Sequence, residues 1–168
     1  MKALFQYINK FILFLLPETK CFALKRFIYR LQGYKIGKNT RICSSARIYG
    51  PGKIEIGENV WIGPEVMIIS SSYIKIDDNS GLGPRVYIST GTHKIGDTKN
   101  TMLGTGINKD VLIKKGCMIS SYALIMPGIT IEEMTVVGAG AVVTKNFNSY
   151  SMLAGVPAKV IKDLRNVE

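Results

Sequence analysis

The chain has 168 residues, 46% of them hydrophobic and 20% charged, with a formal net charge of +10. That length suits one domain with a short appendage. Its three cysteines (Cys21, Cys43, Cys117) share no metal-ligand spacing, which argues against a metal-clustered scaffold and for free thiols in a reducing compartment.

Residues 1–33 read as a basic, apolar helical arm. Residues 1–41 hold nine Lys or Arg and a single acid, Glu18, for a local charge of +8, so the remaining 127 residues are nearly neutral. Pro17 and Glu18 predict one helix stopping and a second starting, the second carrying Phe22, Leu24, Phe27, Ile28 and Leu31. The uninterrupted apolar run covers only residues 11–16, too short to span a bilayer. No A-x-A type site follows it, so a cleavable signal peptide is not expected. Two uses of the arm stay open: capping or subunit packing at the end of the domain, and peripheral contact with an anionic inner membrane face. Nucleic acid is not an expected partner, because the basic residues mix with bulky aliphatics and no nucleic-acid module is visible.

Residues 34–147 carry a six-residue period. A branched aliphatic recurs at Ile36, Ile42, Ile48; Ile56, Ile62, Ile68; Ile76, Leu82, Ile88; and then Ile113, Ile119, Ile125, Ile131, Val137, Val143. A small or β-branched residue usually follows four places later, as at Thr40, Ala46, Val60, Ser80, Cys117 and Ala141. Six matches neither a helix nor a simple strand and turn. It matches a solenoid in which each hexapeptide is one face and three make a coil. Five such triplets predict about five coils, a prism about 24 Å tall at strand spacing. Two eight-residue intervals, Ile48 to Ile56 and Ile68 to Ile76, read as corner bulges. Between Ile88 and Ile113, residues 94–112 are expected to leave the prism as a long loop. Residues 148–168 are expected to be a C-terminal tail.

The single histidine, His93, stands where the prism gives way to this loop. It lies just beyond a small corner position, so its side chain is expected to leave the core. Imidazole is the group whose proton affinity suits base work near neutrality. A purely structural histidine is the competing reading.

The hexapeptide period, Thr-Gly-Thr-His at 90–93, Gly-Ala-Gly-Ala-Val-Val-Thr-Lys at 138–145 and Ala-Gly-Val-Pro-Ala-Lys-Val-Ile-Lys at 154–162 together resemble the left-handed β-helix acyltransferases. The similarity covers about residues 34–163. It is greatest to the branch of galactoside, maltose and xenobiotic acetyltransferases and the O-acetyltransferases of capsular and colanic-acid sugars. The resemblance implies a single-stranded left-handed parallel β-helix. Periodicity alone does not give the hand, since parallel crossovers are right-handed in about 98% of cases.

The resemblance further implies a homotrimer with acetyl-CoA as acyl donor in a cleft between neighbouring prisms, and no metal. His93 matches the family's general base. Ser121 falls where a serine meets the pantetheine near the thioester. Ala139 matches a backbone contact to the pantetheine, Thr144 and Lys145 residues near the nucleotide, and Lys159 and Lys162 basic positions near the CoA phosphates. Two departures matter. Met118 replaces the family's tryptophan. Counted back from His93, the acceptor-holding Tyr, Asn and Asp of the galactoside enzymes fall at Trp61, Gly63 and Ser71, so two polar groups are gone.

The expected activity is acetyl-CoA-dependent O-acetylation of a bacterial surface-polysaccharide sugar or its lipid-linked precursor, in the cytoplasm or at the inner membrane face. N-acetylation of a nucleotide-linked amino sugar, xenobiotic acetylation, and a noncatalytic membrane-associated scaffold are the alternatives. A γ-class carbonic anhydrase shares the prism but needs three zinc histidines, and this chain has one.

Overall fold

The computed structural model describes residues 2–98 and 101–165. Its body is a three-faced parallel β-solenoid. Face I stacks Lys35–Ile36, Lys53–Ile56, Tyr73–Ile76, Val111–Ile113 and Thr130–Ile131. Face II stacks Arg41–Ile42, Trp61–Ile62, Gly81–Leu82, Met118–Ile119, Val136–Val137 and Ser151–Ala154, and Lys159–Asp163 adds an antiparallel edge strand. Face III stacks Arg47–Tyr49, Met67–Ile69, Tyr87–Ser89, Leu124–Ile125 and Val142–Val143. Five coils are complete. Ser151–Ala154 starts a sixth, seating Leu153 in register with Val137.

All fifteen aliphatics of the six-residue register point inward, none more than 5% exposed. Equivalent residues pair from coil to coil, as in Ile42 with Ile62 and Ile62 with Leu82. The column is therefore one continuous apolar core held by strand pairing along three edges. Coils approach so closely at the corners that a Cβ on Gly37 would lie 2.3 Å from the Gly57 carbonyl, leaving no room for any side chain. At the corner from face I to face II, Asn39, Asn59 and Asn79 all take positive φ, a conformation asparagine tolerates. There Asn59 Nδ2 donates to Asn79 Oδ1 at 3.2 Å.

The eight-residue intervals are not corner bulges. They lengthen face I to four-residue strands, and each added pleat buries another aliphatic: Ile54 and Ile74, with Val111 in register on the next coil. The long segment after Ile88 leaves the prism as an ordered ribbon. Gly91–Thr98 and Thr101–Asn108 form an antiparallel hairpin that leaves the corner between faces III and I. Among the described residues the ribbon is a two-stranded sheet of its own, paired with no strand of the three faces.

Helix α1 (Lys2–Leu15) and helix α2 (Phe22–Leu31) precede the solenoid. Helix α2 caps the first coil. Arg26 Nη1 donates to the Thr40 carbonyl at 2.9 Å, Arg30 Nε to that of Ile36 at 2.9 Å, and the Tyr29 hydroxyl to that of Ala46 at 3.3 Å. Ile28 and Tyr29 are buried on the end of the aliphatic column. The elbow between the helices is pinned by Lys25, fully buried, whose ammonium donates to the Pro17 and Glu18 carbonyls at 2.8 Å each. The Glu18 carboxylate in turn accepts from Ser45 Oγ at 2.6 Å and from its backbone N–H at 3.2 Å.

Candidate active site

His93 is placed by the base of the hairpin. Thr90, fully buried, ends face III, and its Oγ1 accepts the backbone N–H groups of Ser71 at 2.7 Å and Ser72 at 3.2 Å. The Thr90 carbonyl accepts the Lys109 N–H at 2.8 Å, closing the two ends of the ribbon onto the corner. Three residues on, His93 pairs with Gly106 across the hairpin, and its ring is exposed. A Cβ at position 106 would lie 3.8 Å from both Cδ2 and Nε2 of the imidazole. The ring therefore stands beside the Gly106 backbone and is otherwise open to solvent. Among the described residues no carboxylate contacts it. The side chain of Asp97, the nearest acid in sequence, lies outside them.

The predicted donor-binding residues occupy other places. Ser121 sits at the corner between faces II and III, above Gly83, where a Cβ would come within 3.2 Å of Ser121 Oγ. Ala139 lies on the next coil at the same corner, and the Gly140 N–H donates to the Ser121 carbonyl at 2.9 Å. Thr144 and Lys145 follow face III and are exposed at the corner between faces III and I, with Lys145 Nζ 5.5 Å from the Phe147 ring centroid. Lys159 and Lys162 are exposed on the antiparallel edge strand of face II, opposite Ala154 and Met152. The chain thus brings Ser121 to Ala139 and Lys159 near Lys162, but holds His93 on a different edge. On one coil the two corners are separated by residues 122–127, about 15–20 Å of extended chain. Clefts of about 620 and 700 Å³ flank Tyr34 and Lys35 on face I, and neither touches His93 or any donor-binding candidate.

The outer side of face II forms a second register through Arg41, Trp61, Gly81, Met118, Val136 and Met152. Trp61 is held edge-on to Phe22, with ring centroids 6.3 Å apart, and the Arg41 guanidinium lies 5.1 Å from the indole centroid. Nothing lies within 4 Å of a Cβ built on Gly81, so the surface between Trp61 and Met118 is open.

No family model matches the chain. Over 139 residues it is 33% identical to WcaF of Escherichia coli K12, whose name assigns it an acetyltransferase role in colanic acid biosynthesis; the match covers 83% of this chain and 74% of WcaF. A maltose O-acetyltransferase from Clostridium difficile 630 superposes with a TM-score of 0.77 at 26% identity, covering 95% of this chain and 84% of that one. The chain belongs to the hexapeptide-repeat acetyltransferases.

The first curated relatives match over shorter stretches, so the chain spans only 24–38% of their length. A galactoside acetyltransferase solved with coenzyme A shares the fold, with a TM-score of 0.65 at 21% identity over 98% of this chain and 83% of that one. Two features beside the candidate residues escape sequence reading. Gly106 lies thirteen positions from His93 and meets it only through the hairpin register. Tyr122 follows Ser121 in the chain, and Arg85 reaches it from the preceding coil. The guanidinium donates to the Tyr122 hydroxyl and, at 2.7 Å, to Glu65. The twenty-residue spacing of Glu65 and Arg85 was the available signal.

Proposed function

We propose that this protein is an acetyl-CoA-dependent O-acetyltransferase working as a homotrimer. Its acceptor is a sugar hydroxyl of a bacterial surface polysaccharide or of the lipid-linked precursor. The observation that carries this reading is the separation of His93 from Ser121 and Ala139 on two edges of one column. A neighbouring prism related by a three-fold axis supplies the missing edge, so that each seam joins the imidazole of one chain to the donor corner of the next.

In that seam His93 Nε2 takes the proton of the acceptor hydroxyl as its oxygen attacks the thioester carbonyl carbon. The tetrahedral oxyanion is held by a backbone N–H or hydroxyl of the cleft. The carbon–sulfur bond then breaks, the acetyl group stays on the sugar oxygen, and the CoA sulfur leaves with the proton carried by the imidazolium. No acyl-enzyme forms. Ser121 and Ala139 line the pantetheine, Thr144 and Lys145 the nucleotide end, and Lys159 and Lys162 meet phosphates as flexible point charges.

The similarity to WcaF supports a surface-glycan acceptor. The basic apolar arm supports a lipid-linked one, with the protein cytoplasmic and peripheral at the inner membrane face. The test is transfer of labelled acetyl from acetyl-CoA to extracted surface glycan and to lipid-linked oligosaccharide. The reading expects incorporation by the wild type and none by His93→Ala, with the trimer mass unchanged. Equal incorporation by both proteins contradicts it.

A further inference from the structure

Helix α1 turns a polar residue inward and large apolar ones outward among its described side chains. Its polar residues Lys2, Gln6, Asn9 and Lys10 share one side of the helix by spacing. In a water-facing helix that stripe looks outward. Here Asn9 and, one turn on, Leu13 are buried at 4% and 5% exposure, and Asn9 Nδ2 has no hydrogen-bond partner among the described residues. The outward side carries Ile8, Phe11, Ile12, Phe14 and Leu15, with Phe11 64% and Phe14 80% exposed. Helix α2, already committed to capping the column, adds Leu24, Phe27 and Leu31, exposed at i, i+3 and i+7 spacing.

Burying an unpaired amide while exposing two phenylalanines is unfavourable in water on both counts. It becomes favourable where the outer face meets a second apolar phase. The charge decides which one. Residues 1–41 carry +8, and α1 contains no acidic residue. A symmetric contact with a second copy would press two such arms together, whereas an anionic surface attracts them. No helix among the described residues is long and apolar enough to cross a bilayer, so the contact is in-plane.

We propose that the outer face of α1, joined by the exposed stripe of α2, inserts into the interface of an anionic lipid bilayer. The pinned elbow of Lys25, Glu18 and Ser45 makes the arm a rigid foot rather than a tether. The foot sits at the first coil, and the hairpin bearing His93 leaves the third. Two coil spacings, about 10 Å, separate them along the column. The first sugars of a lipid-linked acceptor reach that height. Only this orientation toward an acceptor rests on the acetyltransferase reading; the docking itself does not.

The test is flotation of the full-length protein with phosphatidylcholine vesicles, with and without phosphatidylglycerol, alongside the double variant Phe11→Ser/Phe14→Ser. The wild type is expected to float with anionic vesicles, at least tenfold better than with neutral ones, and less at high salt. The variant is expected to lose at least tenfold of that binding while keeping its melting temperature and its acetyl transfer to a short water-soluble acceptor. A wild type that stays with the pellet, or a variant that floats as well as the wild type, overturns the proposal. So does equal flotation with neutral vesicles, or a variant that changes only the mass of the oligomer, which would assign the face to a second copy. Flotation as expected with no acetyl transfer by either protein would leave the docking standing and remove the enzymatic reading.

Discussion

His93 and Gly106 face one another across the hairpin, and the imidazole lies 3.8 Å from the point where a Cβ at 106 would stand. That separation is ordinary van der Waals contact, so a methyl fits and a larger group does not. Gly106→Ala should keep nearly full transfer. Gly106→Leu should push the ring aside and lower kcat at least tenfold, about 1.4 kcal/mol of transition-state stabilisation. Its thermal shift with acetyl-CoA should be retained, because the proposed donor corner lies on another edge. Steady-state kinetics with both variants separates a displaced base from a lost donor site.

Thr90 ties the hairpin to the column through one oxygen that accepts two backbone N–H groups. Thr90→Val keeps the shape and removes the acceptor, leaving Ser71 and Ser72 donors to find other partners. The expected loss is about 1–3 kcal/mol of stability in urea unfolding. Amide exchange should quicken first at Ser71, Ser72 and Lys109, and transfer should fall with it.

Alkaline stability should be governed in part by two buried thiols. Burial pushes Cys43 and Cys117 up to about 11 from the ordinary 9.0. Between those values the unfolded chain has released protons that the native chain still holds, so rising pH favours unfolding. Lys25 acts with the opposite sign, because burial lowers its value and the unfolded chain then binds the extra proton. Cys117→Ala leaves Lys25 and Cys43 in place, and Ala46, Ala123 and Ala141 already fill buried corner positions elsewhere in the column. The variant should lose less stability than the wild type between pH 9 and pH 11, measured by denaturant unfolding at each pH.

The column was legible because its rule is local and repeated. Within each run the register aliphatics need only be apolar and six residues apart, and all fifteen are buried. Ile54, Ile74 and Val111 were missed because an added pleat alters the spacing exactly as a bulge would, and only strand pairing tells the two apart. The hairpin was hidden for a related reason. Its partners, such as Ile95 with Leu103, are exposed on a ribbon with no core face, so no alternation of polarity marks it. His93 was singled out from position and motif. That it stands on a different edge from Ser121 is a property of the coil path, which no single motif records. The inward turn of Asn9 on α1 was likewise invisible, since amphipathic spacing says which residues share a face and not which face turns inward.

The proposed sharing of one site between two chains can be tested by mixing two variants that should each be inactive. His93→Ala removes the imidazole and leaves the donor corner intact. Ala139→Trp blocks the donor corner and leaves the imidazole intact. If the seam joins His93 of one chain to the Ser121–Ala139 corner of the next, random mixed trimers restore both halves in about a quarter of seams, and activity returns to about that fraction of wild type. Mixed trimers confirmed by native mass spectrometry that show no activity above either parent would contradict the shared site.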